Sequence, residues 1–173
     1  MSAWANEGVW TDKMKITRFI RFALPTFLWF GLIFALSSQT HQTQDLRPWI
    51  HKEIPDQTVK NVFAGTSFHY GHSQISVKSS SPSGFIEFFI RKTAHIFVYF
   101  VLGLLIARTL KAYTNWSIYH VSLAAVSVSA LYAASDEFHQ RFIQGRTALP
   151  IDVLVDTAGA MLGIVCFLAV ARK

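Results

Sequence analysis

Two short runs hold the residues whose types and spacing suit chemistry. The run Ser135–Gly163, SDEFHQRFIQGRTALPIDVLVDTAGAMLG, carries Asp136, Glu137, His139, Gln140, Arg141, Arg146, Asp152 and Asp156. The run from Arg91 to Tyr99 adds Arg91, Lys92, His95 and Tyr99. Imidazoles and carboxylates are the side chains of general acid and base work, so His95, Glu137, His139 and Asp136 are the catalytic candidates. Guanidinium and ammonium groups suit phosphate or carboxylate, which gives Arg91, Lys92, Arg141 and Arg146 a role in holding an anion. Tyr99, Gln140, Asp152 and Asp156 complete the candidate binding set. Asp136, Glu137, His139, Asp152 and Asp156 are also ligand types for a hard or borderline divalent cation. The DEFHQ string is a weak metal signature, and the sequence names no particular metal. It contains no nucleophile elbow, no HExxH and no phosphate-binding P-loop.

Both runs sit at the edges of oily blocks. Hydrophobic residues make up 51% of the 173-residue chain and charged residues 15%, against roughly 25% charged in an average soluble protein. That balance points to a membrane. The net charge of +6 does not point to nucleic acid, because the basic residues flank apolar blocks instead of forming one stripe. The lone Cys166 excludes a disulfide within the chain and a multi-cysteine zinc site.

The pattern predicts an all-α membrane protein with four transmembrane helices over about 16–38, 85–110, 117–138 and 151–171. The first block is about 23 residues long, enough to span at a rise of 1.5 Å per residue. A cleaved signal peptide is its rival reading, since small residues at Ala35 and Ser37 have cleavage-site spacing. Pro25 is tolerable in such a helix and is a candidate kink. Residues 1–15 read as a polar N-terminal tail, and 16–173 as the membrane domain. The segment 39–84 is the one long polar insertion. Within it, 44–51 and 56–64 suit short amphipathic helices, 68–77 suits a hairpin turning at Gly71, and 79–84 is linker-like. His41, His51, His69 and His72 in this insertion read as solvated loop histidines.

Helical period gathers the charges. Lys92, His95 and Tyr99 share one face of the second span; Asp136, His139 and Gln140 share one on the third; Asp152, Asp156, Gly159 and Gly163 share one on the fourth. Charged groups facing lipid cost about 2.5–3.5 kcal/mol each on insertion scales. The three faces are therefore expected to meet, with Gly159 and Gly163 forming a small-residue seam for a neighbouring helix. A bundle held by salt bridges alone is the plainer alternative, although apolar packing would do that without the desolvation cost.

Lys13, Lys15, Arg18, Arg21, Arg108, Lys111, Arg172 and Lys173 fall on one side of a four-helix arrangement. The positive-inside rule makes that side cytoplasmic, with both termini there and the insertion extracellular. Arg91, Lys92, Arg141 and Arg146 break the rule on the outer side, which marks them as site residues. An outward charged site at headgroup depth suits an anionic envelope lipid or a polyprenyl-linked cell-wall precursor. Its rival is a non-enzymatic protein that meets a partner or limits drug access through the loop bearing Trp49, Phe63, Phe68 and Tyr70. Four short helices also leave room for a homo-oligomer.

At these residues the sequence resembles the VanZ-like family of bacterial membrane proteins. The motifs are Arg91-Lys92-Thr93-Ala94-His95 with Tyr99 and Leu102-Gly103; Asp136-Glu137-Phe138-His139-Gln140 with Gly145-Arg146; and Asp152-Val153-Leu154 with Asp156 and Gly159 through Gly163. Phe34-Ala35-Leu36-Ser37-Ser38-Gln39 also fits, and the match runs from about 30 to 165. The resemblance implies several membrane helices in the bacterial cytoplasmic membrane and a cell-envelope role. Its founding member is associated with low-level resistance to the glycopeptide teicoplanin, so a glycopeptide joins the candidate partners. Two departures stand out. Many members carry an acidic residue before the tyrosine, where this chain has Val98, and the 39–84 insertion is longer than in compact members, like that of Gram-positive relatives.

Overall fold

The computed structural model describes residues 13–71 and 73–171. The N-terminal tail lies outside them up to residue 12, as do His72, Arg172 and Lys173. Among the described residues, four helices are long and apolar enough to cross a membrane: α1 (Lys13–Ser37), and three further spans at Pro82–Tyr113, Ile118–Gln140 and Pro150–Ala171. The multi-pass reading therefore holds.

Pro25 acts on α1 in a specific way. Its ring clashes with the carbonyl four residues back and it donates no N–H. The helix answers by widening: Phe19–Ala23 forms a π turn, and the Leu24 N–H bonds to Phe19 O. The cleavage point of the rival signal-peptide reading, near Ala35, lies inside this continuous helix.

Between α1 and the second span lies a small subdomain: α2 (Arg47–Glu53), α3 (Asp56–Val62), the strands β1 (Ser67–Tyr70) and β2 (Ser73–Ser76), and the single turn α4 (Val77–Ser80). The helix expected from residue 44 begins at Arg47 because Pro48 sets the first-turn geometry. The hairpin is antiparallel, pairing Phe68 with Ile75, and Gly71 takes φ 60° in its turn. The linker-like residues after Ser79 are ordered instead. Ser76 and Ser79 cap each other reciprocally, and Ser81 Oγ accepts the Gly84 N–H at the start of the next helix.

That helix, α5 (Pro82–Tyr113), has 32 residues. At 1.5 Å per residue it is about 48 Å long, well beyond the roughly 30 Å hydrocarbon core. The overhang is where the subdomain packs: Val59, Val77 and Phe85 form a second small core, flanked by Phe63, Phe68 and Ile75. Phe63 lies 5.2 Å from Phe85, and Tyr70 lies 5.0 Å from Phe88, centroid to centroid.

α6 (Ile118–Gln140) and α7 (Pro150–Ala171) complete the bundle. Its core gathers Ile33, Tyr99, Leu102, Ile106, Val121, Ala125, Ala133, Ala160 and Ile164. The most extensive pairing is α5 against α7, and glycine makes it close. A Cβ on Gly159 would stand 2.6 Å from Ile96 O; one on Gly163 would collide with Phe100 O, and one on Gly103 with Ala160 O. The small-residue seam expected on the fourth span thus docks α5. At the far end of the bundle, Arg18 lies over Tyr113 at 4.9 Å and Arg108 over Phe22 at 4.7 Å, forming a basic foot.

Candidate functional site

α5 and α7 run parallel, so the three-residue step from Lys92 to His95 meets the four-residue step from Asp152 to Asp156. Lys92 Nζ is 2.5 Å from Asp152 Oδ1, and His95 Nδ1 is 3.3 Å from Asp156 Oδ1. The second rung is within ion-pair range but off the line of a hydrogen bond. Asp156 is only 2% exposed. Tyr70 of the hairpin donates its hydroxyl to Asp152 Oδ1, and Lys92 Nζ sits 4.7 Å above the Tyr70 ring. Burial, then the bond to Asp152, pushes the Tyr70 phenol above its ordinary range.

α6 brings the other acids. Asp136 and Gln140, four residues apart on one face, bond through Gln140 Nε2 to Asp136 Oδ2 at 3.0 Å. Glu137 turns its carboxylate to the Leu149 N–H, just before α7, and so fixes the entry to that helix. Arg146 ties four segments together. Its Nη1 donates to Gln140 Oε1 at 3.3 Å, its Nη2 to Gln44 Oε1 at 2.6 Å and Leu36 O at 3.4 Å, and its Nε to Gln39 O at 3.3 Å. Burial, then the nearby Arg91 charge, lowers the proton affinity of Arg146, while Asp136 and Glu137 oppose the shift.

Of these groups His95, Asp136, Arg146, Gln39 and Gln44 wall a cavity of about 360 Å³ between the exit of α1 and the upper part of α5. Its lining has an apolar part (Ile33, Leu36, Leu46, Ile90, Ala94, Val98) and a polar part (Ser37, Gln39, Gln44, Arg91, His95, Tyr99, Asp136, Arg146). Four polar atoms of that lining are buried without a hydrogen-bond partner: Ser37 Oγ, Arg91 Nη1, Tyr99 OH and Asp136 Oδ1. Buried polar groups are nearly always partnered, so their concentration around one cavity is a site-like feature.

The structure therefore brings together Arg91, His95, Tyr99, Asp136 and Arg146 around the cavity. Lys92, Gln140, Asp152, Asp156 and Glu137 stand behind them as ion pairs and hydrogen bonds. Two candidates stand apart. His139 stacks on Phe34 at 4.9 Å and meets Ser38 Oγ at 3.1 Å, bracing α6 against the end of α1. Arg141 is exposed, with its guanidinium 6.0 Å from the Phe138 ring. Among the described residues, no three of His, Cys, Asp and Glu stand close enough to hold a metal ion. Of the loop histidines, His51 pairs with Asp56 at 3.1 Å.

Sequence reasoning missed Glu87, Gln44, Gln39, Ser37 and Tyr70 as site residues. Glu87, nearly fully buried, accepts the Leu46 N–H at 3.2 Å and faces Arg47 Nε at 3.6 Å, so it holds the loop that roofs the cavity. Asp45 is forked by the same Arg47, which holds its carboxyl down at about 2. A lone acidic residue among the phenylalanines and isoleucines of the first turns of α5 was the available signal for Glu87.

The chain matches a family model described as VanZ/LLP1 over residues 22–171. The chain belongs to the VanZ/LLP1 family. No curated protein and no solved structure matches it. In this VanZ/LLP1 chain the residue before Tyr99 is Val98, which lines the apolar part of the cavity and whose carbonyl accepts the Trp29 Nε1 hydrogen at 2.9 Å.

Proposed function

We propose that the cavity binds an envelope lipid with an anionic headgroup, such as a phospholipid or a polyprenyl-linked cell-wall precursor, and that it opens toward the cell exterior of the bacterial cytoplasmic membrane. The observation that carries this reading is the lining itself: unpartnered polar side chains and aliphatic side chains line one cavity, at the level where helices meet the loop. An amphiphile fills both at once. Arg91 is the cation with a free donor for the headgroup, whereas Arg146 already spends its donors on the loop and Gln140. His95 lines the cavity against Asp156, a placement suited to moving a proton if the headgroup is also processed. Through the family, this site is the candidate basis of tolerance to the glycopeptide teicoplanin.

Native mass spectrometry of the purified protein tests the reading. Wild type should carry a co-purified lipid that Arg91→Ala loses, with membrane levels of the variant unchanged and teicoplanin tolerance reduced. Lipid retained in full by Arg91→Ala would refute it.

The rival reading, in which the loop acts by meeting a partner or limiting drug access, draws on exposed apolar residues there, Trp49 at 59% and Val62 at 67%. Tolerance lost in Trp49→Ser/Val62→Ser while lipid is retained would favour that rival.

A further inference from the structure

The chemistry of the headgroup can be taken further, on the basis of the lipid reading just given. The cavity wall contains a cation and an anion that leave each other's free atoms unsatisfied. Arg91 Nη1 has no hydrogen-bond partner, and neither has Asp136 Oδ1. Asp136 is 5% exposed, and its other oxygen, Oδ2, is occupied by Gln140. Tyr99 OH and Ser37 Oγ, also unpartnered, belong to the same lining and accept or donate as needed.

A bare phosphate would satisfy Arg91 and set a second negative charge beside Asp136. A carboxylate is acceptor-only when ionised, so its empty oxygen calls for a donor. A buried acceptor left without one carries its full desolvation penalty. The ligand that satisfies both ends is bipolar: a phosphate for Arg91 and, on the same headgroup, a group that donates a hydrogen bond to Asp136.

We propose that Asp136 reads a hydrogen-bond donor on the headgroup, so that the cavity selects phospholipids carrying a hydroxyl or ammonium group beside the phosphate over those that lack one. A glycerol-type hydroxyl and an ethanolamine-type ammonium share this chemistry, and paired probes tell them apart.

The test uses the full-length protein in detergent micelles and soluble dihexanoyl lipids. One pair is phosphatidylglycerol and phosphatidylmethanol; the other is phosphatidylethanolamine and phosphatidylcholine. Within each pair the net charge is the same and only one member has a donor. Wild type should hold the donor-bearing member of at least one pair about tenfold more tightly, as a charge-assisted hydrogen bond supplies. The pair that shows the preference identifies hydroxyl or ammonium. Asp136→Asn is nearly isosteric. With its amide oxygen kept on the Gln140 side, its NH₂ takes the place of Oδ1 and presents a donor instead of an acceptor. The preference should then fall below about twofold.

A preference that survives in Asp136→Asn overturns the proposal. So does equal binding within both pairs in wild type, a measurement that stands even if the variant does not fold. Arg91→Gln separates this failure from failure of the lipid reading. Phosphatidylmethanol binding unchanged by Arg91→Gln refutes the lipid site altogether. Binding weakened by Arg91→Gln, with the donor preference indifferent to Asp136, sinks only the donor inference.

Discussion

At the scale of single residues, the Lys92–Asp152 pair is the contact most exposed to experiment. Both side chains are largely buried, and Tyr70 shares the same carboxylate oxygen. Lys92→Met would leave Asp152 without its counter-charge, and we expect a loss of about 3 kcal/mol. Adding Asp152→Asn should restore much of it, because the pair fails together; a double-mutant cycle of thermal or denaturant unfolding in detergent reads the coupling. The Tyr70 phenol gives a pH signature. Its proton affinity is raised in the folded state, so its stabilising share is whole below the ordinary tyrosine pKa of about 10 and drains away as pH climbs toward the folded value. The melting-temperature gap between wild type and Tyr70→Phe should therefore be constant near neutrality and shrink above about pH 10.

Much at this scale was legible in the sequence, and the rest was hidden for identifiable reasons. Asp136 and Gln140 are four apart and do share a face. His139, three from Asp136, does not join them, because neighbours such as His139 and Gln140 differ by about 100° around a helix and cannot both look the same way. Tyr70 and Gln44 reach the site across 82 and 102 residues of chain from Asp152 and Arg146. No local period carries such information.

At the scale of elements, the parallel α5–α7 pair sets the site. Backbone contact through Gly103, Gly159 and Gly163 fixes the stagger that lets Lys92 face Asp152 while His95 faces Asp156. Gly159→Ala should force the helices apart at Ile96, costing about 1–3 kcal/mol as overpacking does, and should weaken lipid retention with it. Gly31→Ala, where a Cβ meets nothing, is the matched control and should leave melting within about 0.5 kcal/mol of wild type. The seam was readable from spacing alone, but its partner was not: any of three helices satisfied the pattern until the loop lengths and subdomain packing were known.

At the scale of the molecule, one end is basic and the other holds the cavity and subdomain. Arg18, Arg21 and Arg108 gather around Phe22 and Tyr113 at the first end, which the positive-inside rule assigns to the cytoplasm. In a Cys166→Ser background, a cysteine at Lys52 in α2 should react with a membrane-impermeant maleimide added to intact cells, and one at Lys111 only after lysis. The reverse pattern would place the cavity inside. The number of spans was plain from hydropathy. The subdomain's docking was not, because it depends on α5 running on past the bilayer.

The widened turn at Phe19–Ala23 divides α1 mechanically. A π turn carries one surplus amino acid, so the coil beneath Pro25 and the coil above it keep separate phases. Dropping a residue within Phe19–Ala23 would restore uniform winding and leave the segments on either side close to their present phase. Dropping one above Pro25 would instead turn Ile33, Leu36 and Ser37 away from the space they enclose. Length changes in this helix should thus be benign or ruinous according to which side of a single proline they fall.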